Sequence, residues 1–128
     1  MSNSKVIEWV LRLAVAGEFV GHGMIALYNL NAKWSLWIQQ FVPVSHETAV
    51  TLLFFIGLMD LAVALIVLVK PIRVVVLWAA FWGFWTALVR PLVGEPVWDF
   101  VERWANWGAP LALLLLIGWP RTLREWLK

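Results

Sequence analysis

Long apolar stretches, separated by short runs of turn-forming residues, dominate the hydrophobic pattern of this chain. Four of them cover about residues 6–30, 49–69, 72–89 and 97–119. None alternates apolar and polar residues with the period of two that is typical of barrel strands. Each is close to the ~20 residues that an α-helix needs to cross a bilayer. The pattern predicts an all-α protein in which residues 1–128 form a single membrane domain, a four-transmembrane-helix bundle.

The residues between the stretches predict the connections. Lys70-Pro71 leaves room only for a tight turn, so the second and third helices are expected to form an antiparallel pair. Residues 29–45 are expected to be a loop. The first stretch carries Glu18 and His22 where a signal peptide has its apolar core, so we expect it to be retained.

The start of the fourth stretch allows two interpretations. Residues 97–106 could lie flat in the membrane interface, because apolar and charged side chains alternate there at helical spacing. They could also form the outer end of one continuous fourth helix, kinked near Gly108-Ala109-Pro110. We favour the continuous helix, since the fourth span is otherwise short.

Composition narrows the class of protein. Hydrophobic residues make up 62% of the chain and charged residues 14%, whereas soluble domains are nearer half and a quarter. A chain of 128 residues cannot bury so much apolar surface, which excludes a soluble globular protein, a disordered tail and a nucleic-acid binder. There is no cysteine, so disulfides, thiol redox chemistry and thiolate metal sites are excluded.

Lysine and arginine predict the orientation, because cytoplasmic loops carry an excess of both. Four spans place both termini on one side of the membrane. That side holds seven of the ten basic residues: Lys5, Arg12, Lys70, Arg73, Arg121, Arg124 and Lys128. The other side holds Lys33, Arg90 and Arg103. Both termini are therefore predicted on the cytoplasmic side.

Ionisable residues within the predicted spans are candidates for a polar core. On a helical wheel, the polar residues of the first helix fall in one sector of about 120°, so this stripe is expected to face the bundle interior. Gly17 and Gly21 fall on the opposite side, as a surface for close helix packing. Asp60 is expected at the depth of Glu18. The predicted polar core or ligand site contains Arg12, Glu18, His22 and Asp60. These groups either pair only to orient helices, or bind a polar headgroup or form a proton path.

Two further groups of residues belong to the predicted site. Trp78, Trp82 and Trp85 lie within about 60° of one another on the third helix, too deep for an interfacial belt. They either pack in the core or form a wall for a flat aromatic ligand such as a quinone ring. The other eight tryptophans are expected at the interfaces. An outer-rim network is predicted from Arg90, Glu95, Asp99, Glu102 and Arg103. His22 and His46 differ in depth, so no metal or haem site is expected.

Several short motifs resemble DoxX-like membrane proteins over about residues 6–119. They are Leu11-Arg12-Leu13, Gly17-Glu18-Phe19-Val20-Gly21-His22-Gly23, Gly57-Leu58, Arg90-Pro91-Leu92, Gly94-Glu95, Trp98-Asp99-Phe100 and Glu102-Arg103. The resemblance implies a small four-helix protein of a bacterial inner (plasma) membrane, often found with oxidoreductases. One branch of that family is associated with thiosulfate oxidation coupled to quinone reduction, and other relatives look like assembly factors or trafficking receptors. By resemblance, Arg12, Glu18, His22 and Arg90 are the positions to test first.

Three functions remain open at this point. The first is a redox-associated component that binds a quinone, a lipid or a similar hydrophobic ligand between its helices, with no intrinsic cofactor. The second is a non-catalytic structural or accessory subunit of a larger membrane complex. The third, less favoured, is a small transporter or channel formed by an oligomer. The expected partners are the bilayer and other membrane subunits or further copies of the chain, without nucleic acid. Whether the protein is an enzyme stays undecided.

Overall fold

The computed structural model describes all 128 residues and contains helices but no strands, which confirms the predicted all-α class. Seven helices follow one another along the chain. They are α1 (Asn3–Leu27), α2 (Ala32–Phe41), α3 (His46–Val69), α4 (Arg73–Leu92), α5 (Val97–Val101), α6 (Ala105–Ile117) and α7 (Leu123–Trp126).

Three of these helices are long and apolar enough to cross a membrane, namely α1, α3 and α4. They contain 25, 24 and 20 residues. At ~1.5 Å per residue, each reaches across the ~30 Å hydrocarbon core of a bilayer. Their length and apolar composition indicate a membrane protein.

The prediction of one continuous helix over residues 97–119 is wrong. The chain leaves the helix at Glu102–Trp104, between α5 and α6, and Gly108 to Pro110 lie inside α6. Successive hydrogen bonds from Arg103 N to Phe100 O (3.1 Å) and from Trp104 N to Val101 O (3.3 Å) tighten the backbone there. Residues of α5 therefore do not extend α6, whose 13 residues are about 20 Å long.

The prediction that residues 29–45 form a loop is wrong, because they contain a helix, α2. The side chain of Asn31 caps α2 by accepting a hydrogen bond from Lys33 N at 3.1 Å. Four of its apolar residues follow the spacing i, i+3, i+4, i+7, which is typical of one helix face. They are Trp34, Trp37, Ile38 and Phe41. At the other boundary, α1 ends at Leu27 rather than near residue 30, and Asn29 has a φ of 50°.

The helices pack as two antiparallel pairs, α1 with α3 and α4 with α6, and α1 also contacts α6. Small and branched apolar side chains fill the space where these helices meet. The core consists of Val15, Ala16, Phe19, Val63, Ala64, Val67, Val76, Ala79, Leu113 and Leu114. In contrast, α3 and α4 make few contacts although a tight turn joins them. The two helices therefore diverge after the turn and leave space between them.

Close backbone approach in each pair depends on glycine. A Cβ atom at Gly57 would lie 2.7 Å from Leu27 N and 2.8 Å from Gly23 O, both backbone atoms of the α1 segment. Gly83 of α4 lies directly against the backbone carbonyl of Asn106 in α6. The predicted packing surface of Gly17 and Gly21 is not used within the chain, because nothing approaches a Cβ at either position within 4 Å.

Two arginines bind the C-terminal carbonyls of neighbouring helices. Arg12 of α1 donates to Val67 O (2.9 Å) and to Leu68 O at the end of α3. Arg73, the first residue of α4, donates to Gly118 O (2.7 Å) and Ile117 O (2.5 Å) at the end of α6. Helix C-termini leave carbonyls without intrahelical partners, and each arginine satisfies two of them. The end of α6 thus returns to the side of the molecule on which α4 begins.

Replacing Arg73 by methionine is expected to lower the free energy of unfolding by about 1–3 kcal/mol, because two partly buried carbonyls lose their donor. Thermal unfolding in mild detergent, followed by circular dichroism, measures the change. Arg121→Met is the matched control, since Arg121 is exposed and a surface charge contributes little. Equal midpoints for the two variants would contradict the role given to Arg73.

Candidate ligand-binding cavity

A cavity of about 640 Å³ lies between α2, α3 and α4, with His22 of α1 in its wall. Fourteen of its 18 lining residues are hydrophobic. Its volume falls within the ~300–1,000 Å³ of small-molecule sites, which combine an apolar lining with a few placed polar groups. The cavity occupies the space left where α3 and α4 diverge.

The three tryptophans predicted to form a wall all line this cavity. The rings of Trp78 and Trp82 are stacked, with centroids 5.4 Å apart and planes inclined by 17°. The indole N–H of Trp78 donates to the sulfur of Met59 across the space between α4 and α3, at 3.2 Å. Trp85 packs against Phe41 with centroids 5.8 Å apart. The side of the cavity formed by α4 is therefore lined by closely spaced aromatic rings.

The apolar face of α2 covers the cavity. Trp34, Trp37, Ile38 and Phe41 all contribute to its lining. The ring of Trp34 meets His22 edge to face at 5.8 Å, and Trp37 lies 5.5 Å from the guanidinium of Arg90. Trp34 and Trp37 were predicted only as members of an interfacial belt. The i, i+3, i+4, i+7 spacing was the signal that identifies them as one face of a helix.

The mouth of the cavity lies between α3 and α4. Phe55 of α3 and Trp78 of α4 line the cavity and are 57% and 38% exposed. Both helices are candidate membrane spans, so this exposed part of the lining faces the surroundings of the spans. A molecule dissolved in the acyl chains can reach this mouth without passing through water.

The predicted core residues divide into two groups. Asp60 and His22 line the cavity, and Glu18 lies close enough to Asp60 for the two charges to interact. Arg12 does not line it. It ion-pairs with Glu8 at 3.2 Å and binds the end of α3, so its contacts lie away from the cavity.

Asp60 is a buried ionisable residue with an unpartnered oxygen. Its side chain is 2% exposed, and Oδ1 has no hydrogen-bond partner. Trp82 lies beside the carboxyl group. A buried carboxylate oxygen without a donor is unfavourable, so this position is unusual within the core.

At the outer end of the cavity lies Arg90, which is 7% exposed. Its Nη1 donates to Thr86 O at 2.5 Å, and it forms no ion pair. The other predicted rim residues surround it: Glu95, Asp99, Glu102 and Arg103. Glu95 pairs with Lys33 at 3.7 Å, and Glu102 pairs with Arg103 at 2.7 Å. The guanidinium is thus left without a carboxylate bonded to it.

Histidine, aspartate and glutamate side chains nowhere form a group of three that could hold a metal ion. No family model, curated protein or solved structure matches the chain. The resemblance to DoxX-like proteins stays a prediction from the motifs quoted above, and the site is interpreted from its own geometry.

Proposed function

We propose that this protein is a small integral membrane protein that binds a flat, ring-bearing hydrophobic molecule of the quinone type in the cavity between α2, α3 and α4. The observation that carries the proposal is the aromatic surface of Trp78, Trp82 and Trp85 inside an apolar cavity of about 640 Å³. Aromatic rings stack favourably on such surfaces. Asp60 of α3 and Arg90 of α4, both in the lining, offer a hydrogen-bond acceptor and a hydrogen-bond donor to polar ring substituents.

The proposed membrane arrangement has four crossings, with α5 and α6 together making the fourth. It is supported by Arg73, which binds the end of α6 at the start of α4. The excess of lysine and arginine at that end favours a cytoplasmic location for both termini. By its resemblance to the DoxX family, the protein is expected in a bacterial inner membrane.

The redox role that we propose depends on a partner. The chain contains no cysteine and no group of metal ligands, and protein side chains alone do not carry the electrons of quinone chemistry. An associated oxidoreductase subunit would supply the electron carrier, while this chain would hold the ring and its apolar tail.

A substitution that fills the cavity tests the proposal. Ile56 lines the cavity, whereas Leu58 does not and is 43% exposed. Ile56→Trp is expected to weaken the binding of decyl-benzoquinone at least about tenfold, because the larger ring occupies the ligand's space. Leu58→Trp should bind like the wild type. Calorimetric titration of the protein in lipid nanodiscs measures both, and solvent extraction of the purified protein identifies any quinone that it carries.

The same experiments distinguish the proposed function from the alternative one, a non-catalytic accessory subunit. Gly17 and Gly21 leave a surface on α1 open to an approaching helix, and this observation favours a non-catalytic accessory subunit. Absence of quinone binding by the wild type, together with migration as part of a larger complex in a native gel, would overturn the proposal and support that alternative.

A further inference from the structure

Among the polar or charged residues that are fully buried, Asp60 is the one with an unused acceptor. Four polar or charged residues are buried: Arg12, Ser35, Asp60 and Arg90. Arg12, Ser35 and Arg90 each donate to backbone carbonyls, whereas Oδ1 of Asp60 has no partner. Buried polar groups in folded proteins are normally hydrogen-bonded, so this carboxyl group lacks the donor that its surroundings require.

No lysine or arginine of the protein supplies that donor. Asp60 forms no ion pair with any lysine or arginine. The ionisable side chain that interacts with it is Glu18, which carries the same sign of charge. Gly23 packs against its Cβ on the side of α1, where a Cβ at Gly23 would come within 3.1 Å. The remaining side of Asp60 is the cavity, whose wall it forms together with Trp82.

A ring stacked on the tryptophans places its substituents along this wall. A ring hydroxyl near Trp82 can donate to the Asp60 carboxylate, and a ring oxygen towards the outer end can accept from Arg90. A quinone carries carbonyl oxygens only, so it has no hydrogen to donate to Asp60. Its reduced form, a quinol, carries hydroxyl groups, one of which can donate to Asp60.

We infer that the cavity selects the hydroxyl-bearing form of its ring ligand, a quinol or a comparable alkyl phenol, through a hydrogen bond from the ring hydroxyl to Asp60. This inference rests on the proposed function and adds the chemical class that the site prefers. Asp60 acts here as a specificity-determining residue, since the apolar contacts with the tryptophans are the same for both forms of the ring.

Two redox-stable probes isolate this hydrogen bond. 4-Decylphenol and 4-decylanisole have the same ring and tail, and they differ in whether the ring oxygen carries a hydrogen or a methyl group. Titrated into the protein in nanodiscs, the wild type is expected to bind the phenol about tenfold more tightly than the anisole, as hydrogen bonds to a charged group allow. The partition of each probe into empty nanodiscs is measured and subtracted separately.

Substitutions at Asp60 identify the acceptor. Asp60→Leu removes both oxygens, so the preference for the phenol should fall to about onefold while the anisole still binds. Asp60→Asn keeps one uncharged acceptor and should give an intermediate preference. Glu47→Leu replaces an exposed carboxyl at the start of α3, outside the cavity, and should keep the wild-type preference. Circular dichroism melting verifies that each variant is folded.

The results distinguish the two proposals. If neither probe binds the wild type, the proposed function fails and the inference fails with it. If both probes bind the wild type with equal affinity, the cavity holds ring ligands but the selection by Asp60 is overturned. A tenfold preference that survives in Asp60→Leu overturns it as well, and Asp60→Asn provides the same comparison should the leucine variant not fold.

Discussion

Gly83→Ala is expected to separate α4 from α6 and to lower the free energy of unfolding by about 1–3 kcal/mol or more. A Cβ at Gly83 would lie 2.7 Å from the carbonyl carbon of Asn106 and still closer to its oxygen. These are backbone atoms inside a helix, so no side-chain rotation relieves the overlap. The melting temperature in mild detergent, followed by circular dichroism, measures the loss.

The position of Asn106 explains why the approach is so close. Pro110 lies four residues later inside α6 and has no N–H, so it cannot donate to the Asn106 carbonyl as another residue would. That carbonyl instead faces Gly83 of α4. Displacement of α4 would also move the cavity wall that Trp82 and Trp85 form, so ligand binding should fall together with stability.

Gly108→Ala is the matched control in the same pair of helices. Nothing lies within 4 Å of a Cβ at Gly108, and alanine inside a helix is favoured over glycine by about 0.5–1 kcal/mol. This variant should be as stable as the wild type or slightly more stable. Equal melting temperatures for Gly83→Ala and Gly108→Ala would show that α4 and α6 do not meet at Gly83.

The long helices were predictable because their signal is local. Continuous apolar runs identify α1, α3 and α4 without knowledge of their partners, and a spacing near 3.6 brings Trp78, Trp82 and Trp85 to one face. In the structure, this face lines the cavity. The spacing alone could not predict this, since a face packed in the core gives the same pattern.

Other features depend on information that a hydropathy pattern does not contain. Polar residues interrupt α2, so its four apolar side chains do not form a continuous run. The break at Glu102–Trp104 has neither proline nor glycine to indicate it. It coincides with a hydrogen bond from Arg103 Nη1 to Asp99 O at 2.7 Å, a contact that sequence spacing permits but does not require.

The cavity and the helix that covers it, α2, depend on both the predictable long helices and the features that the hydropathy pattern does not contain. The divergence of α3 and α4 opens a space, and the aromatic face of α2 covers one end of it with Trp37 beside Arg90. The predicted rim residues gather around Arg90 without bonding to it. A polar end and an apolar mouth in one cavity match a ligand that has a polar ring and an apolar tail.

Arg12→Met is expected to lower the free energy of unfolding by about 3–5 kcal/mol, the largest effect of any substitution considered for this chain. Arg12 is 6% exposed and donates to Val67 O, Leu68 O and Glu8. Its guanidinium also stacks over Trp9 at 3.9 Å. Methionine keeps the apolar stem but leaves two helix-end carbonyls without a donor and leaves Glu8 with only the exposed Lys5 as a partner.

Lys5→Met provides the comparison, because Lys5 pairs with the same Glu8 at 3.5 Å but has a side chain that is 55% exposed. Exposed pairs contribute roughly 0–1 kcal/mol, so this variant should melt close to the wild type. Arg12→Lys should recover only part of the loss, since a single ammonium group cannot reach both carbonyls as the guanidinium fork does. The double variant Arg12→Met/Glu8→Gln should be more stable than Arg12→Met, because it removes a mostly buried carboxylate that would otherwise keep only the exposed Lys5 as a partner. If Arg12→Met and Lys5→Met lose the same stability, Arg12 does not hold α1 to the end of α3, and the polar stripe of α1 would need another role.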